Sequence, residues 1–411
     1  MPYSLKNRHY IIMILLVALH LLFLNCQSPT PTPLAVVPVS GQTISVPEET
    51  LVFQNGQDGY QCYRIPAIVK SPNGDLLAFA EARRNNCGDF GDVDIVLKRS
   101  IDNGNTWGNL QLVADYGSNQ AGNAAPVFDL TDKNFANGRL FLFYNTGVAS
   151  EGDVRNGLAI REIWYKTSTD AGKTWSESVN ITTQVSKPNR PSVNPLYNFK
   201  EDWRSYANTP GHAIQLQKGK YAGRIFVAAN HSAGGPKAQF KDYIAHGFYS
   251  DDHGKTWKIT ADVNYEGSNE AIAAETSDGN LLFNCRNQSG DAKYRIQAFT
   301  KNAGETWDKV SIAYDLPDPV CQGSMIDYKP KTGAKVLIFS NDNSQTKREK
   351  LTVRLSTDDG KSWSAGKEIY TGAAAYSDLV VQQNGQIGVL YEKDGYTKIS
   401  YAQFSYDWLV K

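Results

Sequence analysis

One short pattern occurs five times in this chain, and it constrains the fold more than any other feature of the sequence. Each copy fits S/T-x-D/N-x-G-x-T/S-W, in which an Asp or Asn is followed by Gly and then by Trp. Five such matches in 411 residues are far beyond chance. The copies are SIDNGNTW (100–107), STDAGKTW (168–175), SDDHGKTW (250–257), TKNAGETW (300–307) and STDDGKSW (356–363).

The residue types of the repeat are those of a tight turn. Asp or Asn can accept hydrogen bonds from backbone amides two residues on, Gly supplies a positive φ, and Trp anchors the strand that follows. The repeat therefore predicts the tip of a β-hairpin. A calcium loop is the alternative, since Asp and Gly also occur together in EF-hand loops. None of the copies has the Glu that such a loop needs at its twelfth position, so we expect a structural turn.

The segments between the repeats predict an all-β fold. They contain short β-rich runs separated by turn residues, and long amphipathic helical patterns are absent. The Trp residues of successive repeats lie about 50 to 80 positions apart, enough for one four-stranded sheet and its loops. A closed ring of such sheets protects their edges. At about 60 residues per sheet, residues 48–411 predict a six-bladed β-propeller, whose loops gather residues distant in sequence around one depression.

The N-terminus predicts export. Lys6 and Arg8 precede an apolar run over residues 11–24 that is shorter than the roughly 20 residues of a membrane-spanning helix. Cys26 follows directly, so residues 1–26 resemble a bacterial lipoprotein signal, although Phe23 and Asn25 depart from its usual pattern. Residues 27–47 are rich in Pro, Ser and Thr and predict a linker. We expect a lipid anchor on Cys26 at the cell envelope, with secretion or a periplasmic location as the alternative.

Charge and cysteine content exclude several classes of function. Lys plus Arg number 42, as do Asp plus Glu, so no general positive field favours nucleic acid. Beyond Cys26, the four cysteines form no C-x-x-C motif and no His is spaced for zinc, so we expect neither a metal nor a cofactor. Export permits disulfides, and Cys62 with Cys87 is one pairing that we consider.

Three arginines lie where packing alone would not place them. Arg64 in YRIPAIV precedes an apolar run that predicts a buried strand, Arg286 lies in LLFNCRNQ, and Arg348 precedes the fifth repeat. Each one taken alone is explained by surface exposure or by pairing with a nearby acid. Three together favour a site for an anion, because guanidinium groups bind carboxylates through paired, charge-assisted hydrogen bonds.

At these residues the chain resembles the bacterial exo-α-sialidases (neuraminidases) of the glycoside hydrolase family 33 type. YRIPAIV matches their Arg-Ile-Pro signature and the repeated turns match their Asp boxes, over about residues 55–405. The resemblance implies a catalytic domain over residues 48–411 that needs no cofactor. It also implies the following site: Asp89 as acid/base, Glu270 and Tyr376 as base and nucleophile, Arg64, Arg286 and Arg348 as carboxylate ligands, Glu392 as the acid that braces Arg64, and Arg83 and Asp129 near the sugar O4.

The chemistry of the substrate explains this set. Sialic acid bears a carboxylate on its anomeric carbon, so a carboxylate nucleophile would be repelled there, whereas a Tyr hydroxyl is neutral until a neighbouring base takes its proton. Tyr376 and Glu270 would fill these roles. Asp89, flanked by Gly88 and Gly91, would protonate the leaving sugar and later activate water.

Two residues compete for these assignments. Glu275 is the rival of Glu270, and the spacing to Arg286 favours Glu270. Arg354 is the rival of Arg348, but it lies in the strand leading into the fifth repeat, which favours a structural or surface role.

We therefore expect an enzyme that removes terminal α-linked sialic acids, with retention, from glycoproteins, glycolipids or oligosaccharides. Any membrane association would come through the lipid anchor alone. Trans-sialylation, including its intramolecular form, is the nearer alternative, and a non-catalytic sialic-acid-binding propeller is the more distant one.

Overall fold

Short antiparallel β-strands dominate the computed structural model, which describes residues 47–411. The expected signal segment with Cys26, and the linker up to residue 46, lie outside the described residues. Within the described part, no helix is both long and apolar enough to span a membrane. In the described part the α-helices are α1 (Glu151–Arg155), α2 (Thr182–Val185) and α3 (Tyr406–Val410), and short 3-10 helices lie at Gly219–Tyr221 and Ala238–Phe240. The strands are β1 (Glu48–Gln54), β2 (Cys62–Lys70), β3 (Leu76–Arg83), β4 (Val93–Ser100), β5 (Gln111–Ala114), β6 (Gln120–Asp129), β7 (Arg139–Gly147), β8 (Arg161–Ser168), β9 (Val179–Asn180), β10 (Trp203–Asn208), β11 (Ile214–Gln215), β12 (Ile225–Ala233), β13 (Tyr243–Ser250), β14 (Lys258–Ile259), β15 (Ser268–Glu275), β16 (Leu281–Asn287), β17 (Tyr294–Phe299), β18 (Lys309–Pro317), β19 (Ser324–Tyr328), β20 (Val336–Asp342), β21 (Glu349–Ser356), β22 (Lys367–Val381), β23 (Ile387–Lys393) and β24 (Lys398–Phe404).

Strand pairing follows one order along the chain. Within residues 47–411 the antiparallel pairs form six successive sets of four strands: β2–β5, β6–β9, β10 with β12–β14, β15–β18, β19–β22, and β22–β24 with β1. The long strand β22 belongs to two sets, because its first half pairs with β21 and its second half with β23. The all-β prediction is confirmed.

The five repeated turns occupy the same place in the first five sets. Each connects the third strand to the fourth, as between β4 and β5 or between β17 and β18. The hairpin prediction is therefore confirmed. In the sixth set the fourth strand is β1, which comes from the N-terminal end of the described chain and pairs with β24. No hairpin is needed there, which explains why six sets carry five repeats.

Hydrogen bonds within the turns involve both oxygens of the Asp in the four repeats that have one, and the Asn302 amide in the fourth repeat. In the first repeat, Ser100 Oγ donates to Asp102 Oδ1 (2.7 Å), and Thr106 donates its amide to Oδ1 (2.9 Å) and its hydroxyl to Oδ2 (2.6 Å). Gly104 has a φ of 88°, a conformation that favours glycine. Because both carboxylate oxygens accept from the turn itself, the Asp stabilises the hairpin, as the structural interpretation predicts.

Buried apolar clusters fill the spaces between neighbouring sets. Each of six clusters in residues 47–411 draws side chains from two successive sets. One of them joins the first set to the sixth through Ile68 and Ala78 of the former and Val380 and Leu390 of the latter. Both faces of every sheet are therefore covered, which a single four-stranded sheet cannot achieve alone.

Candidate active site

β-Bulges or similar irregularities lie beside three of the predicted site residues. The pairing register shifts between Arg64 and Ala67 in β2, between Ser268 and Ala271 in β15, and between Ala374 and Ser377 in β22. Each shift lies next to or around a predicted site residue, namely Arg64, Glu270 and Tyr376. A bulge inserts an extra residue and re-aims the side chains beside it. These local irregularities bring together residues that are far apart in sequence.

Tyr376 is the centre of the site. Its hydroxyl donates to Glu270 Oε1 (2.5 Å) and accepts from Arg286 Nη1 (2.9 Å), while the same Nη1 donates to Glu270 Oε2 (2.7 Å). Burial and the Glu270 carboxylate raise the pKa of Tyr376 well above its ordinary value. The phenol is therefore held neutral, with a base in contact with its proton and a cation in contact with its oxygen.

Glu392 fixes Arg64 from behind. Its Oε1 accepts from Arg64 Nε (2.6 Å) and from the Ile65 amide (2.8 Å), and its Oε2 accepts from Arg64 Nη2 (3.3 Å) and the Tyr376 amide (3.2 Å). The Glu392 side chain is 1% exposed. Ile65 has a φ of 56°, which is strained for a β-branched residue, and this amide hydrogen bond helps to hold it.

Arg348 has no carboxylate partner among residues 47–411. Its Nη1 donates to the Tyr396 hydroxyl (3.2 Å) and its Nη2 to the Val320 carbonyl (2.9 Å). Tyr396 also lies under Arg64, whose guanidinium carbon is 4.0 Å from the centre of the ring. A partly buried guanidinium without a counter-ion is unfavourable, so this corner of the site is suited to an anion.

Asp89 lies on the loop between β3 and β4, at the rim. Its side chain is 83% exposed, and its Oδ1 is 2.9 Å from Arg83 Nη1 and 3.9 Å from Arg64 Nη1. The cleft walls partly desolvate Asp89 and raise its pKa, but Arg83 and Arg64 outweigh this effect and hold the pKa below its ordinary value. Arg83 is itself held by Glu81, which accepts from its Nε and Nη2.

A cavity of about 180 Å³ lies beside Tyr376, and a smaller one of about 90 Å³ is lined by Arg348, Glu392 and Tyr396. The larger cavity forms the cleft. Asp89, Arg83, Glu270, Arg286 and Tyr376 line it on one side. The other side carries polar side chains from the second and third sets of strands, including Gln120, Asn123, Glu151, Arg161 and Asn230. A polar, concave cleft of this kind fits a hydroxylated ligand.

The structure places the remaining candidates outside the cleft. The expectation that Asp129 lies near the sugar is wrong: Asp129 is fully buried at the far end of β6, and it accepts from Gln215 (2.7 Å) and bonds His253 (2.9 Å). Glu275 accepts from the amides of residues 217 and 218 and from Lys335. Arg354 is buried and donates to the side chains of residues 341 and 343, which agrees with a structural role.

Cys62 and Cys87 form a disulfide, which confirms that pairing. Cys285 and Cys321 are free and buried.

Two groups of side chains outside the cleft have metal-ligating types, namely His231 with His246 and Asp262, and Asp129 with Asp132 and His253. Hydrogen bonds within the protein already involve these groups, such as the 3.1 Å contact between the two Nδ1 atoms of His231 and His246. Neither group lines the cleft.

Sequence reasoning missed Tyr396 and Glu81. Tyr396 lies in the turn KDGYTK, which has the composition of any surface hairpin, so no signal distinguished it. Glu81 did carry a signal. It is an acid inside the apolar strand LLAFAEAR, which is the same kind of anomaly that drew attention to Arg64.

Comparison with known proteins agrees with this arrangement. A family model described as a BNR repeat-like domain matches residues 74–389. A sialidase from Micromonospora viridifaciens is 34% identical over 399 residues, covering 91% of this chain and 56% of that protein. A sialidase from Bacteroides fragilis is 31% identical over 365 residues, covering 82% of this chain and 61% of that protein. Among solved structures, the Hadza microbial sialidase Hz136 has a TM-score of 0.74 at 26% identity, covering 88% of this chain and 69% of that one.

The chain belongs to the family of BNR repeat-like domains, since the model matches most of its length. Its sequence is similar to proteins named sialidase over most of its length, and its structure is similar to a microbial sialidase. It spans 56% and 61% of the length of the two relatives from Micromonospora and Bacteroides.

Proposed function

We propose that the protein is an exo-α-sialidase that hydrolyses terminal α-linked sialic acids with retention of configuration. The observation that carries the proposal is the contact of the Tyr376 hydroxyl with both Glu270 (2.5 Å) and Arg286 (2.9 Å). A phenol between a base and a cation is arranged to become a nucleophile. Sialylated glycoproteins, glycolipids and oligosaccharides are the proposed substrates.

The three arginines support an anionic substrate. Arg64 and Arg348 each lie with their guanidinium carbon 5.7 Å from the Tyr376 ring centre, and Arg286 donates to its hydroxyl. A carboxylate bound by these groups would lie beside the nucleophilic oxygen. The carboxylate of sialic acid is attached to the reacting carbon itself, so binding it also positions that carbon.

The reaction then proceeds in two displacements. In the first, the Tyr376 oxygen attacks the anomeric carbon and its proton passes to Glu270. At the same time the bond from that carbon to the glycosidic oxygen breaks, and Asp89 protonates this oxygen of the leaving sugar. In the second, Asp89 takes a proton from water, the water oxygen attacks the same carbon, and the Tyr376 oxygen leaves and recovers its proton from Glu270. Two inversions give net retention.

Asp89 must be protonated for the first displacement. In the free protein Arg83 and Arg64 keep its pKa low. A bound substrate carboxylate would neutralise part of this positive field and so raise the pKa of Asp89. Substrate binding would thereby prepare the acid.

The proposal extends to architecture and location. The six sets of strands would be the blades of a closed propeller, supported by the apolar clusters between successive sets and by the pairing of β1 with β24. Export with a lipid anchor on Cys26 rests on the N-terminal sequence, with secretion as the alternative.

Substitution of the nucleophile and the acid tests the mechanism. On a fluorogenic aryl sialoside, Tyr376→Phe should lower kcat/KM by about 100-fold or more, because the nucleophile is lost. Asp89→Ala should slow sialosides of poor leaving groups most. The surface variant Tyr314→Phe, at a 73% exposed residue, is the matched control and should be unchanged. Near wild-type turnover by Tyr376→Phe would contradict the mechanism.

A further inference from the structure

We propose that the Cys62–Cys87 disulfide is a positioning element that holds Asp89 where it can protonate the leaving sugar. The inference rests on the proposed function, in which Asp89 is the acid. It assigns a catalytic consequence to a crosslink that could otherwise be regarded as a stabilising feature of an exported protein.

Each half-cystine lies two residues before a residue of the site. Cys62 is two residues before Arg64, which would bind the substrate carboxylate, and Cys87 is two residues before Asp89. The disulfide therefore links the strand that would hold the substrate to the loop that carries the acid. The disulfide therefore limits how far the Arg64 strand and the Asp89 loop can move relative to each other.

The crosslink constrains only a short segment. Cys62 already pairs with Arg83 across the β2–β3 ladder, and Cys87 lies four residues after Arg83. Strand pairing thus already closes most of the loop between the two cysteines, whether or not the disulfide is present. A crosslink that closes so little additional chain contributes little to global stability, because loop entropy depends on the length that is newly closed.

Asp89 has few other constraints. Among residues 47–411 its carboxylate contacts only Arg83 and, at 3.9 Å, Arg64, and Gly88 and Gly91 flank it. Gly91 has a φ of 145°, which favours glycine. The loop backbone is held by Arg83 Nη1, which donates to the Cys87 carbonyl (2.6 Å), and by the disulfide beside it. Without the disulfide, Arg83 would be the main group that holds the acid, aided by the Gly88 amide, which donates to Asn86 Oδ1 (2.7 Å) within the loop.

Asn55 connects the disulfide to the arginines. Its Nδ2 lies 3.7 Å from both Sγ atoms and donates to the Tyr396 carbonyl (2.9 Å), and its Oδ1 accepts from the Tyr63 amide (3.0 Å). Tyr396 in turn contacts Arg64 and Arg348. The disulfide thus belongs to the structure that would position both the acid and the carboxylate ligands.

A comparison of leaving groups separates positioning from general stability. Cys87→Ser breaks the crosslink at an exposed residue and leaves the buried Cys62 in place. For 3′-sialyllactose, whose leaving hydroxyl needs protonation, kcat/KM should fall about 10-fold or more. For 4-methylumbelliferyl sialoside, whose leaving group needs little protonation, it should fall less than about 3-fold. The urea midpoint should change little.

Two further measurements complete the test. Asp89→Ala should show the same dependence on the leaving group with larger amplitude. Wild-type protein treated with dithiothreitol, which is oxidised to its cyclic disulfide as both cysteines become thiols, should behave like Cys87→Ser and recover on reoxidation. Reduction of the wild-type protein also tests the proposal if the Cys87→Ser variant does not fold.

The outcomes distinguish the two levels of the proposal. Equal losses on both substrates, or no loss, in Cys87→Ser and in the reduced wild type would overturn the positioning role while Asp89→Ala keeps its pattern. If Asp89→Ala itself shows no dependence on the leaving group, the assignment of Asp89 as the acid is overturned, and the positioning role falls with it.

Discussion

Replacing Glu392 with Gln removes one charge from a buried ion pair of the site, Arg64–Glu392, while preserving the shape of the side chain. The Glu392 carboxylate accepts four hydrogen bonds, two from Arg64 and one each from the amides of Ile65 and Tyr376. In the variant, the new NH₂ group would face donors at one of these positions. Both strands that carry Arg64 and Tyr376 would lose a common acceptor.

The magnitude follows from burial. Breaking a buried ion pair by neutralising one partner costs about 3–5 kcal/mol, because the other charge remains desolvated. Gln retains one carbonyl oxygen as an acceptor, so we expect a loss near the lower limit, about 3 kcal/mol. Arg64 would no longer be held in place, and a misplacement of about 1 Å can lower kcat/KM by about 100-fold.

Urea unfolding and steady-state kinetics test this prediction together. The matched control is Glu49→Gln, since Glu49 pairs with Lys393 (2.7 Å) but is 35% exposed and lies outside the cleft. The control should lose about 0–1 kcal/mol and keep its activity. A Glu392→Gln variant that unfolds at the wild-type urea concentration and retains wild-type kcat/KM would refute the bracing role.

Two further predictions concern neighbouring features. Tyr396→Phe keeps the ring under Arg64 but removes the hydroxyl that accepts from Arg348 Nη1, one of the two acceptors of Arg348. KM for a sialoside should therefore rise by a few-fold with kcat little changed, corresponding to about 0.5–1.5 kcal/mol. A KM equal to wild type would contradict this. Burial lowers the pKa of His246 to about 3, so the folded protein does not bind the proton that the unfolded chain binds below pH ~6.5. Stability should therefore fall as the pH falls from ~6.5 toward 3, by about 2 kcal/mol at pH 5 from this residue, and His246→Gln should unfold in urea with a weaker dependence on pH between 7 and 5; an equal dependence would exclude this cause.

The sequence predicts the turns and the all-β class because these depend on local chemistry. Asp102, Gly104 and Thr106 make their contacts within one repeat, so the pattern alone specifies the hairpin. The main site residues come from the resemblance, and the structure brings Arg64, Glu270 and Tyr376 together as it implies.

Residues whose role depends on which end of a strand faces the cleft are less predictable. Asp129 is a polar residue ending an apolar strand, much as Arg64 is one near a strand's beginning. In β6, however, Asn123 lies at the cleft and Asp129 lies six residues further along, about 20 Å away at the rise of a β-strand. Composition does not distinguish the two ends. The sequence does not predict Tyr396 as a site residue for a related reason, since its contacts with Arg64 and Arg348 exist only after distant strands have paired.

Covalent trapping tests the central claim most directly. A sialic acid derivative with fluoride as leaving group at C2 and a second fluorine at C3, which slows hydrolysis of the glycosyl-enzyme, should label the protein once. Mass spectrometry of the digested protein should place the label on Tyr376, and Tyr376→Phe should remain unlabelled. The account would be contradicted if the wild type hydrolyses sialosides but carries the label on a carboxylate, or on any other residue than Tyr376.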